Sequence, residues 1–369
     1  VHGGIRYSNL ELRRRFGPDL GDRLHAAGRE AFFEAERFIL DEGFACDYRR
    51  CGTVALAWSE AHLRRLRAER DELTADGLGG RLLTDHELPE EVGTTYYPGG
   101  LVIEESGGLN PARYLAGLLA AAQAAGVQIR ERTTAQHLSR GNGRQGRRLT
   151  VHTLAGSLEA TDVIVATNGY TDGLVPWIRQ RIIPVGSYIT VTEPLDEALA
   201  SELSPRDRMF YDSKHLLYYW RLTPDRRLLF GGRAAFAPTS VSRAAAILEQ
   251  ARQLVYPQTR RLRVEYAWGG NVGFTFDRLP HIGRHDGVHY ALGCCGSGVA
   301  MLTYLGGLLA RRVGAGTDLP LEASPFEQIP HPGGPGLPGL YEGRPWFLPI
   351  VDGWYRVRDW STRNGVGPN

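Results

Sequence analysis

Three stretches of the sequence combine glycine with small polar residues in ways that could hold a ligand. Gly141, Gly143 and Gly146 spell Gly-x-Gly-x-x-Gly, a spacing that serves dinucleotides by letting a pyrophosphate approach a helix N-terminus. Here a strand over residues 149–153 follows instead of a helix, so the expectation is an exposed hairpin loop. Ala166, Thr167, Asn168, Gly169, Tyr170 and Thr171 end a buried strand, and a turn of this kind leaves backbone free to face a ligand beyond the carboxyl end of a sheet. A simple turn leaving the sheet is the alternative reading. The third stretch has two connected parts, from Trp268 to Gly283 and from Val288 to Met301. A strand reaches Leu292, and Gly293, Gly296, Ser297, Gly298, Val299 and Ala300 turn it into a helix running to about Arg312. Such a helix start offers free N–H groups and the positive end of a dipole. Those suit a flat flavin ring, which gathers negative charge near N1 and C2=O when reduced. A glycine-tolerant crossover is the competing reading, and Gly306 and Gly307 suggest close packing of this helix on a neighbour.

The elements that must position these turns are marked by periodicity and caps. Residues 10–44 carry a helical pattern with Leu24, Phe32, Phe33, Ala35, Phe38 and Ile39, stopped by Gly43. A strand follows over residues 51–58, then a charged helix to about Asp76 and a short element near residues 87–91. Asn110 and Pro111 open a helix that Gly126 closes, with Tyr114, Leu115, Leu118, Leu119 and Ala122 on one face. Strands are expected at residues 127–134 and 149–153, and a continuous apolar run at 162–166 reads as a buried parallel strand. Beyond Ile182 the pattern turns β: residues 185–192, then 216–222, a turn at Thr223, Pro224, Asp225 and Arg226, and residues 227–232. A helix near 242–254 and a strand near 263–268 lead to the third stretch. Residues 330–338 read as a glycine- and proline-rich linker to a tail containing Trp346, Phe347, Trp354, Tyr355 and Trp360.

Composition narrows the partners. With 369 residues, two interlocked domains are expected. A net charge of +2, with both signs mixed along the chain, argues against nucleic acid and for a small molecule. No apolar run is long enough to span a bilayer, and no leader pattern precedes the first element, so a cytoplasmic protein is expected. Cys46, Cys51, Cys294 and Cys295 make neither a disulfide framework nor a zinc spacing, and reduced thiols are expected. Lys214 is the only lysine, a bias with no mechanistic reading. The chain opens on Val1 with a segment that reads like protein interior, so a preceding segment is expected.

The arrangement resembles the flavin-dependent amine and amino-acid oxidase family of D-amino-acid oxidase, glycine and sarcosine oxidases, and gamma-glutamylputrescine oxidase. The resemblance runs over nearly the whole chain. It rests on the Asn110-Pro111 helix, Ala166 to Gly169, Leu229-Phe230-Gly231-Gly232-Arg233, the turn from Asp277 to Gly283, and Gly293, Gly296 and Gly298. The aromatic tail is most similar to the gamma-glutamylputrescine oxidase branch. The resemblance implies an α/β fold: an incomplete doubly wound FAD-binding domain interleaved with an antiparallel β-sheet substrate domain. Residues 1–45, 109–178 and 267–320 would form the first, residues 46–108 and 179–266 the second, and 321–369 the linker and tail. The family's opening strand with Gly-x-Gly-x-x-Gly, which holds the ADP part, does not precede His2. The chain by itself is therefore expected to bind FAD weakly or not at all and to fold poorly.

The implied reaction is oxidation of a C–N bond of an amine or amino acid by hydride transfer to flavin N5, with oxygen as acceptor. An amino-acid dehydrogenase using a quinone or carrier is one alternative, and an inactive fragment or non-catalytic flavoprotein-like module is another. The cofactor carries the hard chemistry, and no side chain is assigned as a base. Period-two alternation puts Tyr219 and Arg221 on one face of a hairpin and Tyr218 and Trp220 on the other. Tyr219 and Arg221 are the substrate-contact candidates, since aromatic walls suit an alkylamine and an inward arginine grips a carboxylate. Sheet packing or a surface ion pair is the other reading of each. His281 and His289 read as structural. Cys294 and Cys295 do not stand where relatives attach flavin covalently, so dissociable FAD is expected.

Overall fold

The structure, a computed structural model, describes residues 1–140, 148–232, 239–315, 324–334 and 341–363. The chain forms two compact units, each assembled from three separate segments: Val1–Cys46, Asn110–Pro184 and Val272–Pro345 in the first, and Asp47–Leu109, Val185–Asn271 and Trp346–Asn369 in the second. Sheets rich in antiparallel pairing alternate with helices, a mixed α/β fold.

In the first unit, Ser8 and Glu11 form a reciprocal capping box that starts the helix Asn9–Phe16. Gly17, at φ 83°, and Pro18 then break the helical run and restart it as Pro18–Asp41. The long helix buries Leu24, Ala27, Ala31, Phe32, Ala35 and Ile39 along one stripe. Leu24, Ala27 and Ala31 share a core with Met301, Leu305 and Leu309 of the helix Gly298–Gly314. Beneath that helix runs a three-stranded sheet in which His281–His285 pairs antiparallel with Val288–Leu292, and the latter pairs parallel with Val163–Val165. The tight turn between the first two uses Asp286 and Gly287, both at positive φ, as a two-residue hairpin requires. A second sheet of three antiparallel strands comprises Ala135–Arg140, Leu149–Thr153 and Gly156–Ala160.

Several local expectations differ from what forms. Asn110 does cap the helix Pro111–Ala124, its Oδ1 accepting from Ala112 and Arg113 N–H. Of the expected apolar face, however, only Tyr114 is buried, while Leu115 is 65% exposed. Residues 127–134 do not make a strand; the strand begins at Ala135. A strand exists only where a neighbour completes its ladder, and among the described residues none pairs with that segment. The short strand Val163–Val165 is only partly buried, with Ile164 on its open side. Gly306 faces open space, so the helix glycines do not mark the close packing they suggested. The aromatic tail contains the helix Leu348–Arg363, which belongs to the second unit. The motif at Gly141 to Gly146 and the family residue Arg233 lie outside the described residues.

The second unit is built on an eight-stranded sheet. Its order is Val264–Phe274, Ile183–Pro194, Arg227–Gly232, Tyr218–Leu222, Met209–Asp212, Thr53–Leu56, Gly99–Ile103 and Gly80–Thr84. All the registered pairs in it are antiparallel except Thr53–Leu56 with Met209–Asp212. Trp220 anchors the core, stacked on Phe210, Phe230 and Tyr97, and its indole N–H donates to the Tyr256 hydroxyl at 2.9 Å. Tyr256 in turn donates to the Leu203 carbonyl at 3.0 Å, so the buried polar atoms of both rings are satisfied. No helix among the described residues is long and apolar enough to cross a membrane.

A buried charge network ties the far edge of this sheet. Arg208 donates to Glu91 at 2.6 Å and bidentately to Glu104 at 2.8 and 2.9 Å, and Arg81 also donates to the fully buried Glu91 carboxylate. Removing Glu91 deprives the buried Arg208 of one of its two carboxylate partners, while Arg81 and Glu104 are half-exposed. Glu91→Ala should therefore lower unfolding stability by about 3 kcal/mol, measured by urea denaturation. A loss under about 1 kcal/mol would show that the network contributes little.

Candidate functional site

The strand Val163–Val165 ends in a single 3-10 turn at Asn168–Tyr170, closed by the Tyr170 N–H on the Thr167 carbonyl at 2.8 Å. Asn168 sits at φ 41°, in the left-handed region that asparagine tolerates better than most residues. That conformation turns its side chain toward the other turn. Asn168 Oδ1 accepts from the Gly293 N–H at 3.1 Å, and Asn168 Nδ2 donates to Cys294 Sγ at 3.4 Å. The two turns singled out in the sequence are thus brought together, although 125 residues separate their bonded members.

Space for this contact depends on glycine. A Cβ on Gly273 would stand 2.2 Å from Asn168 Oδ1 and 3.0 Å from the Gly169 nitrogen. The Gly273 carbonyl also accepts from the Cys295 N–H at 3.1 Å, which joins a third segment to the pair. Gly293, Cys295 and Gly296 all have positive φ, and the turn then passes through Ser297 into the helix Gly298–Gly314. The Ser297 side chain makes no capping bond. The helix consequently opens without a side-chain cap from Ser297 on its first N–H groups, next to the positive end of its dipole.

The candidate residues do not all face outward. Gly169, Gly293 and Ala300 are buried, whereas Thr167 and Gly296 are exposed and Asn168, Ser297, Gly298 and Val299 are half-buried. The open rim is therefore Thr167 on one side and residues 296–299 on the other. Cys294 and Cys295 are free thiols, and burial pushes the Cys295 thiol up to about 11. A thiol held there stays protonated at neutral pH.

Beside this site, the turn from Asp277 to Gly283 is fixed by its own pairs. Tyr7 donates to the Asp277 carbonyl at 2.7 Å, and His281 Nε2 donates to the Asp277 carboxylate at 3.0 Å. His289 Nε2 donates to Asp162 at 3.0 Å. Both histidines are buried, and each has a carboxylate partner that orients it. His331 stacks flat on His281 with centroids 3.9 Å apart, and among the described residues neither of its ring nitrogens has a hydrogen-bond partner.

Tyr219 and Arg221 lie in the second unit, on the face of the hairpin opposite Tyr218 and Trp220. The Tyr219 hydroxyl meets Ser187 Oγ at 3.0 Å, and Arg221 donates to the Leu109 carbonyl at 2.9 Å. Burial pushes the Arg221 guanidinium below its ordinary value. Lys214, unassigned in the sequence, is buried against Asp212 at 2.6 Å with its ammonium over the Tyr218 ring. No spacing pattern signals that pair.

Comparison with known proteins places this architecture in a class. The model of the FAD dependent oxidoreductase family matches residues 1–312, and the chain belongs to that family of enzymes. It is 32% identical over 363 residues to the probable oxidoreductase OrdL of Haemophilus influenzae, covering 96% of this chain and 78% of that protein. It is 28% identical over 361 residues to the gamma-glutamylputrescine oxidoreductase of Escherichia coli, covering 94% and 80%. Among solved structures, glycine oxidase from Geobacillus kaustophilus shares the fold with a TM-score of 0.71 at 18% identity, over 84% of this chain and 83% of that one.

Two outcomes follow from this geometry. A side chain at Gly293 would need φ 79° and would bring its Cβ within 2.4 Å of Thr275 Cγ2 and 3.1 Å of the Leu279 carbonyl. Gly293→Ala should therefore lower stability by roughly 2 kcal/mol or more, and a melting temperature unchanged from the parent would contradict the turn's geometry. The second concerns His331, whose pKa is pushed down from 6.5 to about 2 by burial, aided by the neighbouring His281 and Arg181. The folded state thus binds fewer protons than the unfolded chain below pH 6.5. Above 6.5 there is no penalty, and below it stability falls by up to about 1.4 kcal/mol per pH unit from this group. His331→Phe should flatten that slope in denaturation curves taken between about pH 6 and 4.

Proposed function

We propose that the chain oxidises a C–N bond of an amine or amino acid, with hydride passing from the substrate carbon to FAD and oxygen as the electron acceptor. Thr167, Asn168, Gly169, Gly293 and residues 296–300 would hold the isoalloxazine end of a dissociable FAD, and Tyr219 and Arg221 would contact the substrate. The observation that carries the reading is the Asn168–Gly293 bond, which holds a glycine turn open beside an uncapped helix start. Two features support the fit to a flavin ring. Gly296 has open space where a Cβ would stand, so backbone can approach a flat ring. The N–H groups at the start of helix Gly298–Gly314 suit the negative charge of the reduced ring.

When bound, the flavin supplies a hydride acceptor at N5. This chain's own groups need only orient the amine and exclude competing reactions. Arg221 is half-buried and keeps its charge, a suitable partner for a substrate carboxylate. An aromatic wall at Tyr219 suits an alkyl chain. The substrate named for the Escherichia coli relative, a gamma-glutamylated diamine, has both features: an amine to oxidise and a carboxylate to grip.

The helix start separates a structural role from a cofactor role. Ser297→Asp should leave stability within about 0.5 kcal/mol, because an N-terminal carboxylate agrees with the helix dipole. It should nevertheless weaken FAD binding at least about tenfold, since the new carboxylate occupies the N–H groups that would otherwise face the ring. Titration with excess FAD, followed by quenching of flavin fluorescence, measures this; unchanged affinity would remove the helix start from the site. With FAD supplied, oxygen uptake on adding a gamma-glutamylated diamine, glycine or proline tests the reaction. Turnover with a quinone dye but without oxygen uptake would make the enzyme a dehydrogenase.

A further inference from the structure

Asn168 is followed directly by Gly169, and an asparagine–glycine pair carries a reaction of its own. The Gly169 nitrogen can attack Asn168 Cγ: a C–N bond forms, the side-chain amide leaves as ammonia with the Gly169 proton, and a cyclic imide closes. Water then cuts one of the two ring bonds to that nitrogen. Cutting the new bond leaves aspartate, whereas cutting the old peptide bond leaves isoaspartate, with a carbon added to the backbone. Glycine favours the closure because it has no Cβ to obstruct its nitrogen.

In the folded chain both reacting groups are held. The side-chain amide is engaged at each end by another segment, Oδ1 by the Gly293 N–H at 3.1 Å and Nδ2 by Cys294 Sγ at 3.4 Å. Attack on Cγ comes from above the amide plane, so the amide must turn and give up these bonds. The backbone is fixed as well. The Tyr170 N–H donates to the Thr167 carbonyl at 2.8 Å and the Thr171 N–H to the Asn168 carbonyl at 3.1 Å, which keeps Gly169 inside its 3-10 turn. Gly273 covers the pair, since a Cβ there would stand 2.8 Å from Asn168 Cγ and 3.0 Å from the Gly169 nitrogen. Gly169 is buried, so base and water reach its N–H only when the turn opens.

We propose that Asn168 is a deamidation site which the folded turn holds shut and local opening of the turn exposes. The product cannot restore the turn. Aspartate keeps an oxygen for the Gly293 N–H but has no N–H for Cys294, and isoaspartate lengthens the backbone inside a turn closed by hydrogen bonds on both sides. A chain that has opened here therefore carries a permanent covalent mark at the end of the strand Val163–Val165. The reaction needs no cofactor and is separate from the flavin chemistry.

Incubation of the full chain at mildly alkaline pH, in buffer and in urea, followed by trypsin digestion and mass spectrometry, tests it. Cleavage after arginine releases residues 149–179, in which Asn168 carries the only side-chain amide. That peptide should convert at least about tenfold more slowly in buffer than in urea, because the rate follows the open fraction. Cys294→Ala removes one of the two side-chain bonds and should speed conversion of the folded chain about fivefold, with the rate in urea unchanged. Cys294→Ser keeps an acceptor and should return the folded chain to the parent rate. The proposal is overturned if the folded parent converts as fast as in urea, if the peptide does not convert in urea, or if folded Cys294→Ala reacts no faster than the parent. Should Cys294→Ala not fold, the parent in graded low urea replaces it: the rate should climb ahead of global unfolding, and a rate that stays flat until then overturns the proposal.

Discussion

The hydrogen bond from the Gly293 N–H to Asn168 Oδ1 holds the candidate site together. It joins the end of the strand Val163–Val165 to the turn that starts the helix Gly298–Gly314, and Gly273 closes the group from a third segment. The left-handed backbone at Asn168 costs about 1 kcal/mol. Two side-chain bonds of about 1 kcal/mol each more than offset it, so the turn becomes strained when both are lost. An alanine at 168 could make neither bond. The helix itself is fixed independently, by Met301, Leu305 and Leu309 in the core that it shares with Leu24, Ala27 and Ala31. The turn therefore has a rigid element on each side, and its exposed glycine is held open by bonds at both ends.

Much of this was legible where the signal is local. Asn110, Pro111 and Gly126 bracket a helix because capping and φ preferences are properties of single residues. The strand ending at Leu292 and the helix after it were legible for the same reason. Residues 127–134 have the alternation of a strand, yet alternation describes a surface and not the neighbour that must pair with it. The helix Leu348–Arg363 was hidden by its own composition, since Pro349, Gly353 and clustered aromatics lower helix propensity. Its proline falls in the first turn, where no N–H bond is lost. The Asn168–Gly293 contact could not be read at all: its range is 125 residues, and nothing in either turn names the other.

Charge in the second unit shows where arginine and lysine stop being interchangeable. Arg208 grips Glu104 with two nitrogens and Glu91 with a third, a fork that an ammonium cannot reproduce. At position 214 the demand is reversed. The ammonium stands 3.1 Å from the centre of the Tyr218 ring and donates to Asp212, a site for a compact charge. Burial pushes Lys214 below its ordinary value while Asp212 opposes the shift. In a chain whose other basic side chains are arginine and histidine, the single lysine thus has a physical reason that composition alone does not suggest.

The same hairpin explains the run Leu229-Phe230-Gly231-Gly232. Tyr219 stands opposite Gly231 and Tyr218 opposite Gly232 across the ladder. A Cβ at Gly231 would lie 2.4 Å from the Tyr219 ring, and one at Gly232 2.7 Å from Tyr218 Cδ1. Each glycine lets an aromatic ring fold flat across the neighbouring strand, a pairing that covers exposed backbone and restores the packing that glycine lacks. In the next pair along the ladder Trp220 faces Phe230 and is committed to the core, its one polar side-chain atom already bonded to Tyr256. The Tyr218 and Trp220 face of this hairpin thus packs on the core, and Tyr219 and Arg221 lie on the other face.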